Sequence, residues 1–169
     1  IYAIDASSAN KKNRTGVENY AFHLIQHLKD HALGEDERVI LYSSNKLEGD
    51  LATLPNGWES KVVSWKSSKG WMQGAMSLEL AKNKPSVFFV PSQGLPRQFP
   101  FVKYPILTTI HDVGFKRLPK LYSNSERKRQ LSSIKRSIKK AKHLLTISEF
   151  SKAEIQEFYK VKDEKLTVV

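Results

Sequence analysis

Ile1-Tyr2-Ala3-Ile4-Asp5-Ala6, a polar loop over residues 7–14, and then Thr15-Gly16-Val17-Glu18-Asn19-Tyr20 form the stretch that decides the fold. Residues 1–6 read as a short buried strand. After the loop a helix opens, because Thr15 followed three residues later by Glu18 is a capping box. From there Val17, Tyr20, Ala21, Leu24, Ile25 and Leu28 recur at helical spacing, and His23, Gln26, His27 and Asp30 fall elsewhere, which predicts a helix to about residue 33. The same alternation continues down the chain. Strand-like apolar runs occupy residues 36–43, 59–65, 86–91, 105–111, 143–148 and 165–169. Near-continuous apolar strands mean burial on both faces, the mark of a parallel sheet. Helical patterns cover residues 71–82 and 125–142, and a short one opens at Ser151, with Glu154 completing a second capping box. The expectation is one α/β domain over residues 1–169: a Rossmann-like, doubly wound, mainly parallel sheet with helices on both faces.

Composition narrows the function classes. Of 169 residues 40% are hydrophobic and 27% charged, the balance of a globular chain with a core. Cysteine is absent, which excludes disulfides, thiolate catalysis and Cys-based zinc sites. No apolar run approaches the roughly 20 residues of a membrane-spanning helix, and residues 1–6 do not resemble a signal peptide. The missing initiator Met predicts a few preceding residues in the natural protein. Lys and Arg number 28 against 17 acids, a net charge of +11. Eight of those bases (Arg127, Lys128, Arg129, Lys135, Arg136, Lys139, Lys140, Lys142) lie between residues 127 and 142 with no acid among them. Without these eight the remainder is 20 against 17, nearly balanced. At about 100° per residue, Leu131, Ile134, Ile138 and Ala141 form one stripe and most of the bases the opposite half. The stripe is expected to pack on the sheet, leaving a positive face that is either solvated or apposed to an anionic partner.

In an open parallel sheet, ligands bind beyond the carboxyl ends of the strands. The first loop carries Lys11, Lys12 and Arg14 and ends at Gly16 on a helix start, where N–H groups and the helix dipole attract anions. The alternative is that Thr15 and Glu18 serve only as caps there. Neither G-x-G-x-x-G nor G-x-x-x-x-G-K-[ST] occurs, so dinucleotide-dependent oxidoreductase and P-loop readings lose support. His111 and Asp112 follow the fifth strand, where a His can donate to a ligand hydroxyl or move a proton; alternatively Asp112 is a turn residue and His111 a satisfied buried imidazole. Ser92 and Gln93, in a proline-bounded loop, suit a binding rim or an ordinary turn. Ser148 and Glu149 lie between the sixth strand and its helix, and capping accounts for Ser151. His23 and His27 are one helical turn apart, but no third ligand follows, so no metal site is expected. Trp58, Trp65 and Trp71 read as packing rather than a base-stacking platform.

Several strings together resemble the N-terminal domain of family 4 glycosyltransferases, retaining enzymes of the GT-B fold. These are Ile4-Asp5; Thr15-Gly16-Val17-Glu18-Asn19-Tyr20; Thr109-Ile110-His111-Asp112-Val113 with Pro119 and Tyr122; Leu145-Thr146-Ile147-Ser148-Glu149-Phe150-Ser151-Lys152; and Lys165-Leu166-Thr167-Val168-Val169. The resemblance implies sugar transfer from a nucleotide-diphosphate sugar to a hydroxyl of a glycan or lipid-linked glycan, as in polysaccharide biosynthesis. It implies retention of configuration and hexosyltransferase-type chemistry. The C-terminal nucleotide-sugar-binding domain is absent from this chain, so the isolated domain is expected to be inactive.

Residue by residue, the resemblance puts Gly16 and Thr15 near the donor phosphates. Lys11, Lys12, Arg14, Ser92 and Gln93 fall on the acceptor side, His111 and Asp112 are the catalytic candidates with His111 at the transferred sugar and Asp112 its companion in the motif, and Ser148 and Glu149 lie in the cleft. No metal and no cofactor beyond the donor substrate is implied. Lys135, Arg136, Lys139 and Lys140 are expected to face an anionic membrane, giving a cytoplasmic protein peripheral to the inner face of the plasma membrane. The competing expectations are a non-catalytic nucleic-acid-binding α/β domain using helix 125–142, disfavoured because its bases lack interleaved aromatics, and a GT-B epimerase or phosphorylase.

Overall fold

In the computed structural model, which describes residues 1–67, 70–92 and 94–169, the chain parts into two compact units. The first, Ile1–Pro91 with Pro96–Pro105, contains β1 (Tyr2–Asp5), α1 (Gly16–Lys29), β2 (Val39–Ser43), β3 (Trp58–Val62), α2 (Ala75–Lys82) and β4 (Val87–Val90). Its strands lie in the order β3-β2-β1-β4, all parallel. β1 is hydrogen-bonded on both edges: Ala3 faces Ile40 and Phe88, and Ile4 faces Leu41 and Phe89. All six of these side chains are buried, as an interior parallel strand requires. On β3 only Trp58 is buried and the next four residues are exposed, which suits its place at the end of that order.

Two helix boundaries differ from expectation. α1 stops at Lys29 rather than near residue 33, because Asp30 and His31 turn off with N–H donations to the carbonyls of His27 and Leu28. Leu33, which completed the helical pattern, instead packs under Gly57, where a Cβ would lie 2.9 Å from Leu33 Cδ1. α2 begins at Ala75, four residues later than the pattern from Trp71 predicts. The Trp71 indole N–H donates to the Val63 carbonyl (2.7 Å), and Gly74 lies so close to the Trp65 ring that a Cβ there would meet it at 2.5 Å. Tertiary contacts of the two indoles hold residues 71–74 in a turn.

The second unit, Ser92–Leu95 with Ile106–Val169, contains β5 (Ile106–Thr109), α3 (Gly114–Arg117), α4 (Asn124–Lys140), β6 (His143–Thr146), α5 (Glu149–Tyr159) and β7 (Leu166–Val168). The strands run parallel in the order β5-β6-β7. Its core joins Ile110, Val113, Phe115, Ile134, Ala141, Leu144, Ile155 and Leu166, with Leu131 and Ile138 packed against it. The expected apolar stripe of α4 is therefore the face that is buried. Ser123 caps this helix by accepting the Glu126 N–H (3.2 Å), and Lys165 Nζ donates to the Ile138 carbonyl in its last turn (2.6 Å).

α5 corrects the sequence reading. Its N-cap is Ser148, whose hydroxyl accepts the Ser151 N–H (3.1 Å), so the helix starts three residues before the Ser151 box. This register turns Ser151 and Glu154 inward. Glu154 caps nothing and instead accepts from Arg117 Nε of α3 (2.8 Å), while Arg117 Nη2 reaches Glu157 (2.8 Å).

All seven expected strands form, and both units are parallel α/β arrangements, so the fold class is α/β and Rossmann-like. Among the described residues no helix is long and apolar enough to cross a membrane.

Gly57 has φ 79° and meets Leu33 closely, whereas Gly49 has φ 57° and open space around it. Gly57→Ala is expected to lower unfolding free energy by about 1–3 kcal/mol, and Gly49→Ala by about 1 kcal/mol. Urea denaturation of the two variants, compared at equal slope, measures the difference.

Candidate functional site

The chain leaves β1 for β2 on one side and returns to β4 on the other, so β1 marks the topological switch point of the first unit. Crevices outside the carboxyl ends of such strands are where ligands bind. The last residue of β1 is Asp5, 3% exposed, whose Oδ1 accepts the Ser7 N–H (3.0 Å). Burial pushes its carboxyl up, opposed by that N–H. The buried Ser8 hydroxyl just beyond has no hydrogen-bond partner among the described residues. Sequence reasoning gave Asp5 no role, although an acid closing an apolar strand is a signal that could have found it.

The loop over residues 6–15 is tied down at several points. Asn10 donates to the Lys46 carbonyl (2.9 Å) and accepts the Glu48 N–H (2.9 Å). Arg14 Nε donates to the Ala9 carbonyl (2.9 Å), and its guanidinium stacks 3.8 Å from the Phe22 centroid. Lys11 Nζ contacts Glu18 Oε1 at 2.6 Å, and Glu18 Oε2 accepts the Thr15 N–H (3.1 Å) and meets the Thr15 hydroxyl. The Lys11 ammonium first, then Thr15, holds the Glu18 carboxyl down at about 2. Of the three loop bases, Lys11 and Arg14 are thus engaged within the loop and its helix, and Lys12 is exposed and without an ion-pair partner among the described residues. Gly16 occupies the first position of α1, and a Cβ there would meet nothing within 4 Å. Neither packing nor a left-handed backbone demands a glycine at this position. What its absent side chain leaves is open access to the first N–H groups of the helix.

In the second unit, β5 delivers His111 to its carboxyl end, 6% exposed, just after Ile110 donates to the Leu145 carbonyl (2.8 Å). Asp112 is exposed and its Oδ1 accepts the Gly114 N–H (2.9 Å), the turn that starts α3. The neighbours are therefore separated in role: the imidazole is held inside, and the carboxylate shapes the turn. The Arg117–Glu154 pair then fixes the far end of α3. Ser92 gives its carbonyl to the Thr108 hydroxyl (3.3 Å), while Gln93 lies outside the described residues. Ser148 is engaged in capping α5, and Glu149 is exposed in its first turn, where a negative charge favours the helix dipole.

All eight bases of residues 127–142 are exposed, and among the described residues none meets a carboxylate. Ahead of them, Leu118 is 54% and Leu121 75% exposed. His23 and His27 sit on α1, and among the described residues no cluster of three or more His, Cys, Asp or Glu could hold a metal. The three tryptophans are dispersed: Trp58 is buried, Trp65 packs on Gly74, and Trp71 bonds to Val63.

The family model for Glycosyltransferase Family 4 matches residues 14–169, nearly the whole chain. The chain belongs to glycosyltransferase family 4. No individual curated protein matches it. The match takes in every candidate from Arg14 to Glu149 and leaves Lys11 and Lys12 outside it. Membership of this glycosyltransferase family accounts for the resemblance of its strings.

Glu18 supplies an acid-sensitive brace for the first loop of this glycosyltransferase domain. Since its carboxyl is depressed on folding, the stabilisation is complete above pH ~4.5 and is lost as pH falls through about 2. Glu18→Gln is expected to be less stable than the parent by about 0.5–2 kcal/mol at pH 6. The two should converge near pH 2 when urea unfolding is followed across that range.

Proposed function

We propose that this domain forms the acceptor side of an enzyme that moves a hexosyl group from a nucleotide-diphosphate sugar to a hydroxyl of a glycan or lipid-linked glycan, with retention of configuration. The observation that carries the proposal is the family match across residues 14–169, within which a buried histidine closes β5 and an unconstrained glycine opens α1. In such a transfer the acceptor oxygen forms a bond to the anomeric carbon on the face from which the diphosphate departs, the C–O bond to the diphosphate breaks, the hydroxyl proton passes to the departing diphosphate, and the barrier is set largely by charge on that diphosphate. A second, nucleotide-binding domain supplies most contacts to that group. This domain contributes orientation: His111 at the sugar, Gly16 and Thr15 for close approach of donor phosphate, and Lys12 with Ser92 and Gln93 toward the acceptor. Lys11 and Arg14 brace the loop that presents Lys12. Asp112 sets the turn that carries His111, and Ser148 and Glu149 border the cleft. The chemistry needs no metal and no cofactor beyond the donor.

In the full enzyme, His111→Ala is expected to lower kcat by about 100-fold or more with a smaller change in KM. Transfer of labelled sugar to acceptor measures it, and an unchanged rate removes His111 from the reaction.

The seven bases of α4 and Lys142 just beyond it, without carboxylate partners among the described residues, support apposition to an anionic membrane at the cytoplasmic face, where lipid-linked acceptors are met. Leu118 and Leu121, exposed on the segment that precedes α4, add apolar contact. Replacing Lys135, Arg136, Lys139 and Lys140 by Glu is expected to abolish sedimentation with phosphatidylglycerol vesicles at low salt. Undiminished sedimentation overturns the membrane assignment of this helix.

A further inference from the structure

Phe101 is 98% exposed, the extreme among the large apolar side chains of the chain, and Phe99 two residues earlier is 39% exposed. They do not sit on a loose strand of chain. Val102 N–H donates to the Phe99 carbonyl (3.1 Å), closing a turn over residues 99–102, and Gln98 Nε2 donates across its base to the Tyr104 carbonyl (2.7 Å). Tyr104 is buried edge-on against Phe88, with centroids 6.4 Å apart. Upstream, Arg97 N–H is fixed to Ser77 Oγ of α2 (2.8 Å), and three prolines, Pro96, Pro100 and Pro105, restrict the backbone. Since Pro105 accepts the Phe88 N–H at the start of β4, the base of this knuckle is anchored at the amino-terminal side of the strands, away from their ligand-binding ends.

The segment that carries the knuckle has charge of one sign. Arg97 and Lys103 flank it, both exposed and without a carboxylate partner among the described residues, and no Asp or Glu occurs in the sequence between Glu79 and Asp112. A single exposed Phe needs no explanation. Two on a pinned turn with cationic shoulders match an anionic interface, where aromatic rings enter the headgroup boundary and basic side chains stay at the phosphates.

We propose that the turn over residues 99–102 is an interfacial wedge, inserting Phe101 and Phe99 into an anionic bilayer while Arg97 and Lys103 pair with lipid phosphates. It shares its partner with the membrane assignment of α4 and rests on different residues. Because the chain has no cysteine, Phe101→Cys can be labelled uniquely with an environment-sensitive nitrobenzoxadiazole probe, with Glu35→Cys as the exposed control. Phosphatidylglycerol–phosphatidylcholine vesicles should shift the emission at position 101 to the blue and shield it from a soluble quencher, with no change at position 35. Unlabelled Phe101→Ser should melt as the parent does, since that ring packs on nothing, and should partition about tenfold more weakly, a loss that persists at high salt, unlike charge-driven binding. Failure of the α4 charge reversal to change binding, with position 101 still inserted, would remove the helix contact and leave the wedge standing. A probe at 101 that stays in water, or Phe101→Ser partitioning like the parent, overturns the wedge. So does a Phe101→Ser variant that turns a dimer into a monomer in sedimentation velocity with vesicle binding unchanged, because the knuckle is then a contact between copies of the chain.

Discussion

The pairing of β1 on both edges is the constraint from which the first unit follows. A strand with neighbours on either side and side chains buried on both faces must be short, apolar and continuous. Ala3 and Ile4 meet that demand, and Asp5 ends it. Placing a carboxyl where the paired strand stops exchanges apolar burial for a polar group at the one position where the sheet opens. The loop beyond is then held by Asn10, Arg14 and Glu18, so that α1 begins at a fixed point relative to the strand it follows.

Much of this was legible from the residues. The interior strands were visible as apolar runs because they are buried on both faces, whereas the run at residues 59–65 began one residue inside the mostly exposed β3; most runs extended past the paired segment at one end or both. The start of α1 was legible because its capping box is local. The start of α5 was not, since Ser151 and Glu154 imitate a capping box while Ser148, three residues earlier, makes the bond. α3, with four residues, is too short to show a period. The end of α1 depended on what Leu33 touches rather than on its spacing.

The candidate site divides in the same way. His111 could be found because a titratable side chain after a buried strand stands out locally. That Lys11 and Arg14 are engaged could not, because Glu18 lies seven residues from Lys11 and the Phe22 ring eight from Arg14. A row of basic residues in sequence says how much charge a loop carries, and only the fold says how much of it is left to meet a ligand. On α4 the outcome is the reverse: the basic charge read from sequence is all exposed and, among the described residues, without carboxylate partners.

The pairing of Arg117 with buried Glu154 has a consequence for motion. A four-residue helix cannot hold itself together, since forming its first turn costs more than so few bonds return. α3 therefore borrows its order from α5, and the backbone just after His111 opens in concert with a helix some forty residues further along the chain. Amide protons of residues 114–117 would exchange with solvent as one cooperative unit with those of α5 rather than at the rate of a surface turn.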